Sequence, residues 1–203
     1  MFRSAVALLV AAWCSTSDAA IVTVLSGGGN GVANFSGPGL LAVDPLFNST
    51  ADIVLDVEVE AGDLPSPLAF NSIVSNLTGF GWSGYTMTLS GANWSFVGDV
   101  DSGLFGGVLS VVPGFGPVAG MQSVVTILFD PLEPDGFDLG DPFLLGNNDF
   151  GVDISALSAG DHFTLTLSPT AVPEPTSLAL AGCGACLMLL RRRNKRTVTA
   201  SPA

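Results

Sequence analysis

The chain has 203 residues, with 18 Asp and Glu against six Lys and Arg and a formal net charge of −12. All six basic residues lie near the ends, at Arg3 and at Arg191, Arg192, Arg193, Lys195 and Arg196; setting aside Asp18 and Glu174 leaves 16 carboxylates between Asp44 and Asp161. A central region without Lys or Arg cannot bind nucleic acid by releasing counterions from phosphate. It also lacks the donors that clamp phosphate or carboxylate substrates.

In chain order, the first element is a signal peptide over residues 1–19. Arg3 supplies the early positive charge, residues 5–13 form an apolar core, and Ser17-Asp18-Ala19 places small residues at −3 and −1 of a cleavage after Ala19. Trp13 before Cys14 argues against a lipoprotein site. Removal of both end segments leaves roughly 150 residues, enough for one domain with a real core. That domain contains no cysteine, so no disulfide framework staples it.

Residues 20–169 read as β throughout. Ile53, Leu55, Val57 and Val59 alternate with Asp52, Val54, Asp56, Glu58 and Glu60, which predicts a strand with its carboxylates on the wet face. Residues 85–90 and 162–168 repeat the pattern, with Tyr85, Met87, Leu89, Phe163, Leu165 and Leu167 inward. Residues 124–129 are a continuous apolar run, suiting a strand covered on both faces. Weaker strands are expected at 20–25, 69–75, 95–97 and 107–112, and one helical turn near 154–157. Turn formers fall at 27–31, 37–39, 64–67, 113–117 and 131–136. Short strands with this punctuation predict an all-β domain, an antiparallel, jelly-roll-like β-sandwich. Residues 168–170 are expected to be the hinge after it.

Within this domain Trp82, Tyr85 and Trp94 lie among Gly, Ser, Asn and Thr. Flat aromatic faces beside neutral polar groups suit a saccharide surface; the competing and favoured reading makes the rings part of the core. Asp135, Asp138 and Asp141 are spaced three apart in a glycine-bearing segment, followed by Asn147, Asn148 and Asp149. Such oxygens suit Ca²⁺, although the EF-hand spacing is absent and a solvated acidic turn is favoured. Asp161-His162 has no Gly-x-Ser-x-Gly partner, and His162 falls on a polar strand face. No spacing singles out a pair of glycosidase carboxylates among the 16 acids. The domain is therefore expected to be non-enzymatic.

The tail has three parts in order: Val172-Pro173-Glu174-Pro175, an apolar run at residues 176–190, and the basic cluster Arg191, Arg192, Arg193, Lys195 and Arg196. As a single hydrophobic helix the 15-residue run would span roughly 22 Å, short of a bilayer core of about 30 Å. The basic cluster is expected to stay cytoplasmic and to place the domain outside. Cys183 and Cys186 read as small packing residues of this helix. A GPI signal would end in its apolar stretch, and the sortase motif Leu-Pro-x-Thr-Gly is absent. A plain membrane anchor is the remaining alternative.

These three parts together resemble the PEP-CTERM sorting region of exported proteins in Gram-negative bacteria that carry an exosortase. The resemblance covers residues 172–196, about an eighth of the chain. It implies export through the Sec machinery and signal peptidase, an inner-membrane-tethered intermediate, and cleavage near the motif by an exosortase-type membrane protease. The product then passes to the cell envelope or extracellular matrix. The organisation expected is signal peptide 1–19, acidic domain 20–169, sorting region 170–196 and short cytoplasmic tail 197–203. A structural or adhesive role in the envelope or exopolysaccharide matrix is expected. The alternatives are a carbohydrate- or calcium-binding surface module and, behind it, a secreted hydrolase.

Overall fold

The computed structural model describes residues 19–64, 67–102, 108–114, 123–133 and 135–172. The expected signal peptide and the expected helix at 176–190 lie outside the described residues. Among the described residues thirteen strands form two sheets. One has six strands in the order β1 (Ile21–Ser26), β4 (Ile53–Glu58), β13 (His162–Ala171), β6 (Trp82–Ser90), β10 (Ser123–Glu133), β9 (Val108–Gly114). The other has seven: β2 (Gly31–Asn34), β3 (Leu40–Phe47), β5 (Leu68–Asn76), β11 (Gly136–Leu139) and β8 (Val100–Ser102), with β12 (Phe150–Asp153) on β5 and β7 (Asn93–Phe96) on β12.

The six-stranded sheet follows from alternation. Ile53, Leu55 and Val57 on β4, Met87 and Leu89 on β6, and Phe163, Leu165 and Leu167 on β13 are all buried, while the residues between them are partly exposed. β10 departs from expectation. Val125, Ile127 and Phe129 are buried, but Val124, Thr126 and Leu128 are half-buried, so the strand is covered fully on one face. The expected hinge at 168–170 is instead the end of β13, with Ser168, Pro169 and Thr170 opposite Thr86, Tyr85 and Gly84. β4 pairing stops at Leu167, so β13 has a free side there, where proline is tolerated.

The seven-stranded sheet is less regular. β3 and β5 run parallel, the exception in an otherwise antiparallel set of pairings among the described residues. A parallel pair needs a crossover connection; here the chain leaves β3, runs through β4 in the other sheet and the 3₁₀ turn Ala61–Asp63, and returns as β5. The β3–β5 register lapses between Ala42 and Leu46, around Pro45, which has no N–H to donate. Side chains bridge the gap: the Ile73 N–H donates to Asp44 Oδ1 at 2.8 Å, and the Ser72 hydroxyl donates to the Val43 carbonyl. Along the other side of β5, β11 covers residues 72–75 and β12 covers 68–70, so the two lie end to end with loop 140–149 looping out between them.

Aromatic rings fill the space between the sheets. Phe47 of β3 meets Trp82 and Tyr85 of β6 edge-on at 5.2 and 6.0 Å, and Phe137 of β11 meets Tyr85 at 5.0 Å. A second cluster joins Phe70, Trp94 and Phe150. The buried core cluster draws on residues from Ala20 to Leu167. Near 154–157 the chain makes one turn, closed by the Leu157 N–H to the Ile154 carbonyl at 2.9 Å.

Candidate functional site

Val172 is the last described residue of the domain end. Its N–H donates to the Gly81 carbonyl at 3.0 Å, one residue after the β13–β6 ladder closes at Ala171 and Trp82. Pro173, Glu174, Pro175 and the basic cluster Arg191, Arg192, Arg193, Lys195 and Arg196 lie outside the described residues.

Asp135, Asp138 and Asp141 do not form the single loop expected of them. Asp135 is in the connection before β11, Asp138 is within β11, and Asp141 follows it. A strand advances about 3.3 Å per residue, which carries the three apart. Among the described residues no group of three or more His, Cys, Asp or Glu is placed to hold a metal ion. The carboxylates of loop 140–149 instead accept backbone amides. Asp141 Oδ1 takes the Leu145 N–H at 2.6 Å and Oδ2 the Gly146 N–H at 2.8 Å. Asp149 Oδ1 takes the Asp141 N–H at 2.7 Å and the Asn71 amide at 3.3 Å, and Asp99 Oδ2 takes the Asn148 N–H at 2.8 Å. These are caps for a loop that has left its ladder, in which Asp side chains take the place of ladder carbonyls as acceptors.

The saccharide reading of Trp82, Tyr85 and Trp94 is likewise corrected. Trp82 and Tyr85 are fully buried, stacked 6.0 Å apart with 9° between their planes. Their faces are taken by the core and are not offered to a sugar. Trp94 is partly buried and belongs to the other aromatic cluster, against Phe70 and Phe150. Trp82 Nε1, Tyr85 Oη and Trp94 Nε1 are buried without hydrogen-bond partners. Burial pushes the Tyr85 phenol well above its ordinary value. His162 opens β13 on an exposed face, as the alternation predicts, and its Nδ1 lies 2.9 Å from Asp56 Oδ2.

The structure does bring together a set of residues with no local sequence signal. Asp138 stands opposite Ile73 of β5 and Asp101 of β8, and the Ile73 amide is bonded to Asp44 of β3. Asp44, Asp138 and Asp101 thus lie in a row across the outer face of the seven-stranded sheet. Partial burial, then Asp101, then Asp44 hold the Asp138 carboxyl above the usual range. Beside the row runs an open groove of about 410 Å³, lined by Phe35, Leu40, Asp44, Asn71, Ile73 and Leu144 among others. Leu144 is 89 % exposed and has φ +56°, a conformation that costs a non-glycine residue energy. The groove offers apolar contact and negative potential without a nucleophile beside a base. Two strands, β3 and β5, and two loops line the groove, and the carboxylate row adds β11 and β8, which is why sequence spacing could not show Asp44 near Phe35 and Leu144, or Asp138 near Asp101.

No family model matches this chain, and no curated protein or solved structure matches it.

Proposed function

We propose that the chain is an exported, non-enzymatic protein of the cell envelope or exopolysaccharide matrix, sorted by an exosortase-type protease through Val172, Pro173, Glu174 and Pro175. The observation that carries this is the segregation of parts along the sequence. A motif, an apolar run and five basic residues follow in order, and the domain before them contains no Lys or Arg. In support, Val172, the first residue of the motif, follows directly on the β13–β6 pair Ala171 and Trp82, and its N–H reaches the Gly81 carbonyl.

We also read the pair of sheets as a jelly-roll-like sandwich. Its support is the way the chain alternates between sheets: β1, then β2 and β3, β4, β5, β6, then β7 and β8, β9 and β10, β11 and β12, and finally β13. The domain's role is structural.

Replacement of Pro173, Glu174 and Pro175 by Ala tests the sorting step in the native host. The expected result is accumulation of full-length chain in the inner-membrane fraction and loss of the released form. Unchanged distribution of the triple variant between membrane, envelope and medium would overturn it.

A further inference from the structure

The six-stranded sheet ends on β1, which has β4 on one side and, among the described residues, no strand on the other. Folded proteins normally blunt such an edge with charge, proline or a short length, because its free N–H and C=O groups are a template for another strand. Ile21-Val22-Thr23-Val24-Leu25-Ser26 has no charge and no proline, and four of its six residues are β-branched. Ile21 is 50 % and Val24 49 % exposed. Val24 falls on the same side of the strand as Val22, which packs against the core. A register shift at Leu25 bends the strand's end, so the flat, pairable edge is residues 21–24. The other edges are poorer templates. β2 contains Gly31 and Asn34 and β7 begins at Asn93, residue types that strands disfavour, β8 carries Asp101, and β9 contains Pro113.

We propose that β1 pairs antiparallel with β1 of a second copy about a twofold axis, joining two six-stranded sheets into one. Such an interface is self-complementary and closes at two copies. Like charge is the obvious objection, since each domain carries 16 carboxylates and no Lys or Arg. Distance answers it. The nearest strand bearing carboxylates is β4, with Asp56 opposite Thr23 and Glu58 opposite Ile21. Across the new pair, β4 and its mate stand three strand spacings apart, about 14 Å, beyond a Debye length of about 8 Å at physiological salt. Association therefore strengthens with salt. The inference rests on the proposed export, because removal of residues 1–19 leaves Ala20 at the head of β1.

Sedimentation velocity on the protein purified from its native host tests this, with intact mass measured on the same sample. A dimer at tens of micromolar is expected, tighter by severalfold at about 300 mM than at about 20 mM salt. Val24→Glu sets a charge on the edge and weakens dimerisation about tenfold or more, whereas Ser155→Glu, in an exposed turn, leaves it unchanged; melting curves check that both fold. A monomer at both salts with trimmed ends overturns the pairing, as does a dimer that Val24→Glu does not weaken. Untrimmed ends overturn the export reading on which the free edge depends.

Discussion

The two sheets of this domain are held in different ways. In the six-stranded sheet β4, residues 85–89 of β6 and residues 163–167 of β13 alternate between buried and part-exposed, and β13 pairs with β4 through Leu167 and with β6 to Ala171. Apolar period and ladder bonds are enough. In the seven-stranded sheet the register lapses beside Pro45, β11 and β12 are halves of one interrupted strand, and loop 140–149 leaves between them. There the backbone is satisfied by side chains: Asp44, Asp99, Asp141 and Asp149 each accept main-chain N–H groups. Buried Asp63 does the same, taking the Glu60 N–H at 2.9 Å and the Gly39 N–H at 3.2 Å. Part of the acidic composition is thus structural. A carboxylate can cap a stray amide without a cation, because the amide dipole supplies the positive end.

If that contrast is right, substitutions should separate along it. The largest effect is expected for Leu165→Ala in the middle of β13, a loss of about 2–5 kcal/mol read by chemical denaturation, because a fully buried side chain leaves a cavity in the regular sheet. Asp141→Ala is expected to cost about 0.5–1.5 kcal/mol by removing the acceptor of the exposed Leu145 and Gly146 amides. Hydrogen exchange should speed up in loop 140–149 and stay slow in β6 and β13. Uniform loosening of both sheets would erase the distinction.

Tyr85→Phe works in the opposite direction. Its hydroxyl is buried without a partner, so removing it is expected to stabilise the domain by up to about 1 kcal/mol. The folded-state phenol is raised above its ordinary value. The unfolded chain therefore ionises first, and stability present below about pH 10 falls as pH rises beyond it. Tyr85→Phe should flatten that alkaline loss, visible in melting temperatures between neutral and alkaline pH.

The smallest effect is expected at Asp138, whose carboxyl is also raised. Its folded form prefers to stay protonated, so stability is greater below the ordinary carboxylate range and falls as pH rises through the raised value. Asp138→Asn should gain melting temperature at pH 7 over the parent, with the gain vanishing near pH 4. With no three-ligand group among the described residues, calcium at millimolar concentration should raise the melting temperature no more than magnesium at equal ionic strength.

The same contrast explains what could be read in advance. Alternation revealed β4, β6 and β13 because each face of a continuous strand has one environment along its length. β3 was missed because Asp44 and Pro45 break its apolar run, and β11 because Asp135, Asp138 and Gly136 look like a loop. In fact Phe137 and Leu139 anchor β11 in the core while Asp138 faces out. Acid spacing suggested a cation, but spacing does not tell whether a carboxylate meets a metal or an amide. The burial of Tyr85 and the core reading of Trp82 were legible; their ring partners Phe47 and Phe137, remote in sequence, were not. The groove beside Asp44 and Asp138 left no trace in any single segment.

On the proposed reading, the apolar run and the basic cluster that follow the motif are an address and an anchor that is discarded. Mass spectrometry of the mature C-terminus, in envelope and medium fractions of the native host, tests that most directly. Digestion must use an Asp- or Glu-directed protease, because no Lys or Arg lies between Arg3 and Arg191. The predicted result is a terminus within residues 172–177 and no trace of the apolar run. An intact chain reaching Arg196 in the membrane fraction would contradict it and make the tail a permanent anchor.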